Sequence, residues 1–163
     1  LQVLGVNQAG QTVFGNKQVG NQTNKGFEVD LGWVQAVGPG NWSIYTTAYD
    51  ADPQNELGAQ PSRAVKTKHT AFTKYKFASG AAKGFEIGAG YSAVGSSPGV
   101  GFARLPSYEL WSALVGYERG HYRITLNVDN LADKRGIMTG AEGPGLLALN
   151  PPLTWKLTTT WTW

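Results

Sequence analysis

The chain ends in a run in which large apolar residues alternate with polar ones. Across residues 155–163, one side of the period holds Trp155, Leu157, Thr159, Trp161 and Trp163, and the other holds Lys156 and three threonines. A period of two is typical of a β-strand with one apolar and one polar face. Tryptophans at the end of such a face are favourable at the boundary between a bilayer and water. The segment predicts a membrane strand; the alternative is a core strand of a soluble β-sandwich.

Composition narrows the possible classes. The 163 residues suit one domain, and 22 glycines with 12% aromatic residues are typical of β-barrels. Since no stretch has 18 consecutive apolar residues, no transmembrane helix is expected. The absence of cysteine excludes disulfides and thiolate metal sites. The net charge of +3 comes from scattered basic residues with no nucleic-acid-binding motif, so no nucleic-acid partner is expected.

Alternation recurs along the chain. It is clean over residues 27–33, 85–93 and 122–128, and less regular over 42–50, 69–77 and 108–117. In the segment 108–117, both Trp111, Ala113, Val115, Tyr117 and the opposite set are fairly apolar, so its lipid-facing side stays open.

The connections between these segments alternate strictly in length. Short ones rich in turn formers cover residues 37–41, 79–82 and 118–121, and long Gly/Pro-rich ones cover 51–67, 94–106 and 131–152. This pattern is typical of an antiparallel transmembrane β-barrel with short periplasmic turns and long outer loops.

We therefore expect seven strands in residues 24–163, and a partial strand with an extracellular loop in residues 1–23. Residues 11–19 look like a loop or an extension of the next strand. Residues 1–6 are shorter than the nine to eleven that a spanning strand needs, and they lack the features of a signal peptide. We expect processing or truncation to have removed what preceded them.

Three sequence motifs occur in order along the chain. Residues 24–31 read NKGFEVDL and fit an S-x-G-x-E-x-E-x strand; residues 105–110 read LPSYEL and are similar to L-P-x-Y-T-L. Residues 122–134 read YRITLNVDNLADK and are similar to a strand with an N-V-x-N-L-F-D-K-x-Y continuation. Together these motifs resemble those of TonB-dependent outer-membrane siderophore receptors, in which the third motif is the penultimate strand. The order and spacing match over residues 26–163. The chain departs from the pattern at Ala132, at Gly136-Ile137 and at Trp163.

The resemblance implies the C-terminal barrel portion of a ferric siderophore receptor in the bacterial outer membrane, about seven to eight strands of a barrel of about 22. The implied partners are membrane lipid and lipopolysaccharide, the barrel assembly machinery and, through the complete receptor only, ferric siderophore and TonB. Two alternatives stay open: a free-standing eight-stranded barrel with a structural or adhesive role, and a soluble lipocalin-like ligand-binding barrel.

Candidate site residues follow from the strand phases and from the resemblance. The terminal residues Leu157, Trp161 and Trp163 resemble the signal that the barrel assembly machinery reads. The candidates for substrate binding are Arg63, Arg104, Tyr108 and Arg135. The polar residues expected to face the lumen are Glu28, Asp30, Lys74, Glu86, Arg123 and Asp129.

Enzyme chemistry is not expected. His69 and His121 lie in different predicted elements, and neither the G-x-S-x-G nor the Walker pattern is present. No cofactor or metal is expected either.

Overall fold

The computed structural model describes residues 2–7, 9–15, 20–99, 104–140 and 147–163. Within this described part, no helix is long and apolar enough to cross a bilayer. The strands in these ranges are β1 (Gln2–Val6), β2 (Thr12–Gly15), β3 (Gln22–Val37), β4 (Gly40–Asn55), β5 (Thr67–Phe77), β6 (Phe85–Val94), β7 (Tyr108–Arg119), β8 (Tyr122–Asp129), β9 (Ile137–Gly140), β10 (Leu147–Leu149) and β11 (Thr154–Trp161).

Seven of these strands form one antiparallel sheet in the order β11-β8-β7-β6-β5-β4-β3. The predicted all-β antiparallel fold is confirmed, and the three segments with clean alternation lie within β3, β6 and β8. All short connections lie at one end of the sheet, the turn end, and all long ones lie at the other, the loop end. The sheet is open, because neither β3 nor β11 pairs with a further strand in the described part of the chain.

The first hairpin is longer than the sequence predicts. The pairing of β3 with β4 runs without interruption from Gln22↔Asn55 to Val37↔Gly40. The loop predicted to begin at residue 51 therefore begins after Asn55, and that prediction was wrong. Beyond Asp50 the hairpin carries no apolar face, so alternation is lost while backbone hydrogen bonding continues.

The structure also differs from the sequence prediction in residues 1–23 and in the loop 131–152. β1 and β2 pair with each other and not with the seven-stranded sheet. Part of the predicted segment 11–19 is a strand, Thr12–Gly15, and residues 16–19 lie outside the described residues. The predicted loop 131–152 contains the small hairpin of β9 and β10.

The register divides the sheet into two faces. Directly paired residues lie on the same face, so the row Trp155↔Val128↔Ala113↔Ala89 belongs to one apolar face. The same ladders place Trp111, Val115 and Tyr117 on that apolar face and Tyr108, Leu110 and Leu114 on the other, polar face. The register thereby identifies the apolar and the polar face of β7, which the sequence alone does not distinguish.

Aromatic side chains form a belt on the apolar face near the turn end. Ring centroids are 5.7 Å apart for Trp33 and Trp42, 4.5 Å apart for Phe85 and Tyr117, and 5.9 Å apart for Tyr122 and Trp161. The remaining members are Tyr75 and Phe77, whose centroids are 4.8 Å apart. Such belts are typical of the boundary between lipid and water.

The belt shows how far the strands tilt. The hydrogen-bonded row that contains Trp33 reaches β11 at Trp155, six residues before Trp161. The belt thus shifts by one residue for each of six steps between strands. One residue along a strand is about 3.3 Å and one step across is about 4.8 Å, which gives a tilt of about 35°. Strands of transmembrane barrels tilt by about 35–45°.

The turn between β5 and β6 depends on one glycine. Gly84 has a φ of +91°, and a Cβ added there would lie 2.2 Å from the backbone oxygen of Glu118. This close approach lets the Gly84 oxygen accept a hydrogen bond of 2.9 Å from the Glu118 amide. Gly80, in the same turn, also has a positive φ, of +76°, but open space surrounds its missing Cβ.

We expect Gly84→Ala to lower the free energy of unfolding by about 2–5 kcal/mol, because left-handed strain adds to displacement of the β7 backbone. Gly80→Ala should cost only the strain, about 1–2 kcal/mol. Urea titration of the protein in lipid vesicles, followed by tryptophan fluorescence, measures both. Equal losses for the two variants would contradict the close approach at Gly84.

Candidate functional site on the polar face and at the loop end

A buried carboxylate organises the turn half of the polar face. Glu86 is 3% exposed and accepts a hydrogen bond of 2.5 Å from the Arg123 guanidinium. The Lys74 ammonium lies 3.5 Å from the second Glu86 oxygen. Two cations from β5 and β8 thus compensate one carboxylate on β6, as the low dielectric of a buried site requires.

The strands beside this cluster adapt to it. A Cβ added to Gly116 would lie 2.6 Å from a Glu86 carboxylate oxygen, so the Glu86 side chain fills the space over this glycine. A second ion pair joins Lys76 to Glu118 at 2.9 Å. Because Glu118 is considerably more exposed than Glu86, solvent screens this pair more strongly.

Aromatic rings cover the glycines in the middle of the polar face. The Phe72 ring would lie 3.3 Å from a Cβ added to Gly88 and 3.5 Å from one added to Gly90. The Tyr45 ring lies in the same way over Gly32, at 3.4 Å. A ring laid over a bare strand backbone restores the apolar contact that glycine lacks.

The loop half of the polar face is a concave, hydroxyl-rich surface. Thr47 donates a hydrogen bond of 2.7 Å to Asp30, and the Asn24 amide donates one of 3.0 Å to the Tyr49 hydroxyl. These side chains, together with Glu28, lie in or beside a concavity of about 620 Å³. The surface is suited to hydrogen bonding with a polar surface or solute.

The six polar residues predicted to face the lumen all lie on this one face. They form no single cluster. Lys74 and Arg123 each contact Glu86, whereas Glu28 and Asp30 lie on β3, and Asp129 lies at the loop end of β8, opposite Thr154. Their position against a lumen stays a prediction.

The first hairpin projects past the neighbouring strand at the loop end. β4 continues beyond Asp50, the last residue it pairs with β5. There, the Lys66 ammonium donates a hydrogen bond to Asp52 and holds the pKa of that carboxyl below its usual value, with help from the Gln54 amide. The ion pair ties the loop between β4 and β5 to the hairpin.

The family described as TonB dependent receptor-like, beta-barrel, matches residues 2–131, most of the chain. The chain belongs to the TonB-dependent receptor β-barrels. It is therefore a β-barrel segment of the bacterial outer membrane, and the predicted family and location are confirmed.

Solved structures with low sequence identity share the fold. The ferric-catecholate import receptor Fiu of Escherichia coli K12 superposes with a TM-score of 0.71 at 20% identity over 96% of this chain and 22% of that chain. The ferripyoverdine receptor of the Pseudomonas aeruginosa outer membrane gives 0.70 at 20% identity, over 86% of this chain and 19% of that chain. No curated protein matches. The chain thus spans about a fifth of the length of these receptors.

The four loop residues predicted to contact substrate do not meet at one point of this TonB-dependent receptor segment. The Arg63 backbone amide donates a hydrogen bond of 2.8 Å to the Pro98 oxygen, and the Arg104 side chain donates one of 2.7 Å to Ser96. Tyr108 and Arg135 line one groove at the loop end. A ligand role for any of the four stays a prediction.

The motif after β8 is a structural turn in this receptor segment. Asn130 is buried, has a φ of +54°, and donates hydrogen bonds to the backbone oxygens of Lys134 and Pro151 at 3.0 and 2.8 Å. It also accepts one from the Lys134 amide at 2.9 Å. The Asp133 carboxylate accepts a hydrogen bond of 2.9 Å from the Leu153 amide, 20 residues away.

The terminal strand is an exposed edge of the receptor segment. Leu157, Trp161 and Trp163 are all exposed, and Trp161 stacks on Tyr122 with 5° between the ring planes. Past the last residue of β11, the Thr162 amide donates a hydrogen bond of 3.0 Å to the His121 oxygen. This contact holds the chain end against the turn between β7 and β8.

An ion pair at the loop end of the receptor segment is not among the sites predicted from the sequence. The Lys134 ammonium lies 2.6 Å from the Glu109 carboxylate, which also accepts a hydrogen bond of 3.2 Å from the Tyr91 hydroxyl. Glu109 continues the phase of Trp111, Ala113 and Val115. A charge in the phase of an apolar face is the sequence signal that could have identified this site.

Proposed function

We propose that this chain forms consecutive wall strands and outer loops of an outer-membrane receptor that takes up ferric siderophores. The main support is the two-faced antiparallel sheet, with an aromatic belt on one face and compensated charges on the other, in a chain of the TonB-dependent receptor family. In this proposal the apolar face meets lipid and the polar face lines the lumen.

The strand count favours a larger barrel over a free-standing one. Successive neighbours in the seven-stranded sheet are antiparallel, so β3 and β11 at its two edges run in the same direction. Direct closure of these edges would create a parallel pair, whereas bacterial outer-membrane barrels have an even number of antiparallel strands. A compact, heat-modifiable band from the 163-residue chain refolded alone in micelles would favour the small barrel instead.

The mechanism of uptake that we propose divides the work among parts of the complete receptor. Outer loops, including those between the strand pairs β4–β5 and β6–β7, capture the ferric chelate. The polar face provides the wall against which a plug and a solute move. Energy coupling through TonB belongs to the complete receptor, and the barrel wall itself supplies no covalent chemistry.

Uptake of iron tests this proposal. We expect cells that express the full-length protein as their sole siderophore receptor to accumulate radioactive iron from at least one ferric catecholate or pyoverdine chelate. The accumulation should disappear when TonB is deleted, because the outer membrane has no energy source of its own. Uptake that is unchanged without TonB would contradict the proposal.

The orientation of the two faces has a separate test in β8. Ile124 and Leu126 lie on the apolar face, and Thr125, between them, lies on the polar face opposite Gly116. We expect Ile124→Arg or Leu126→Arg to cost about 2–4 kcal/mol near the bilayer midplane, because lipid cannot solvate the cation. Thr125→Arg should cost much less. Urea unfolding in lipid vesicles measures the free energy of unfolding of the three variants. The reverse ranking would show that the two faces are assigned the wrong way round.

We also propose that Leu157, Trp161 and Trp163 are read by the barrel assembly machinery. The exposed edge of β11 and its terminal aromatic residues support this role. We expect Trp161→Ala combined with Trp163→Ala to lower the folded, heat-modifiable fraction in cells several-fold. Trp33→Ala, a belt tryptophan far from the terminus, is the matched control, and an equal loss in that variant would assign the effect to lipid anchoring alone.

A further inference from the structure

The apolar face ends abruptly at the loop end of β5, β6 and β7. The last aromatic pair on this face is Tyr91 with Trp111, whose ring centroids are 4.6 Å apart. The next hydrogen-bonded row on the same face is Glu109↔Ala93↔His69. Aromatic rings directly below charged and polar groups mark the level of the lipid headgroups.

Two cations lie above this boundary. Lys134 contacts Glu109 from the apolar side of the sheet, and Arg135 follows it, 3.8 Å from Asp133. The side chains of Lys134 and Arg135 are 48% and 60% exposed. Together with Glu109 and His69 they line a groove of about 660 Å³, and Glu109 is the only acidic residue among the described residues that line it.

We propose that this groove, which we call the rim groove, binds a phosphate of the lipid A part of lipopolysaccharide. The inference rests on the proposed function, since it needs the apolar face to meet lipid and the loop end to face the cell exterior. Arginine and lysine near a membrane surface attract anionic lipid headgroups. The Tyr91–Trp111 pair below offers an apolar surface to the acyl chains, and Glu109 holds Lys134 in place while competing with the phosphate.

The cations can be changed without disturbing the turn that presents them. The Asn130 side chain forms hydrogen bonds with the backbone amide and the backbone oxygen of Lys134, so the Lys134 side chain takes no part in the turn. An exposed ion pair such as Lys134–Glu109 adds little to folding stability. Lys68, one residue from His69 in the chain and on the polar face, is the matched control cation.

Native mass spectrometry of the full-length protein in detergent, titrated with purified bisphosphorylated lipid A, tests the proposal. We expect Lys134→Gln combined with Arg135→Gln to weaken binding about 25-fold, at about fivefold per cation. Lys68→Gln should leave binding unchanged. Glu109→Gln should strengthen it, because the carboxylate no longer competes; a purely structural role for the ion pair would make this variant bind more weakly instead.

Two other lipids test whether the rim groove is specific for the phosphates of lipid A. Monophosphoryl lipid A should bind more weakly than the bisphosphorylated form, and phosphatidylglycerol more weakly still. Equal binding of phosphatidylglycerol, or full binding by the double variant, would overturn the assignment of the rim groove. Uptake of ferric chelates is measured separately, so a protein that transports iron but binds lipid A without these cations refutes this inference and leaves the proposed function in place.

Discussion

Antiparallel backbone pairing in one uninterrupted register is the constraint on which the rest of this structure depends. A bilayer cannot satisfy backbone amides or carbonyls, so each strand must receive its hydrogen bonds from its neighbours. Once the register is set, the period of two distributes every side chain between two faces. A shift of one residue in β8 would carry Arg123 and Asp129 to the apolar face, which explains why the ladders from β3 to β11 contain no irregularity.

The two faces solve opposite problems of solvation. On the apolar face a polar group can be satisfied by a neighbouring strand: the Trp42 indole donates a hydrogen bond of 2.6 Å to Thr73. On the polar face, charge accumulates where partners are close enough to compensate it, as Arg123 and Lys74 do for Glu86. The neighbouring Gly116 shows the cost of this arrangement, since a side chain there would compete with the Glu86 carboxylate for space.

Much of this fold can be predicted from alternation, and the failures have physical causes. Strands β3, β6, β8 and β11 are evident because one face is apolar and the other polar. In β7 both sets of alternating residues are apolar, because Leu110 and Leu114 lie beside the glycines and Phe72 on the polar face of the sheet. Only the pairing of β7 with β6 and β8 shows which set lies on which face. The rim groove depends on a contact between Glu109 and Lys134, 25 residues apart, which periodicity cannot foresee.

The tilt of the strands and their odd number together limit the closed barrels that can contain this sheet. A shift of one residue per strand gives the tilt of about 35° whether a barrel has few strands or many, because stagger and strand number grow together. Tilt therefore cannot distinguish a small barrel from a large one, but the direction of the edges can. With β3 and β11 running the same way, an odd number of additional strands must lie between them to preserve antiparallel pairing all round. The hairpin of β1 and β2 cannot supply that number alone, since its two strands pair with each other and carry an even count.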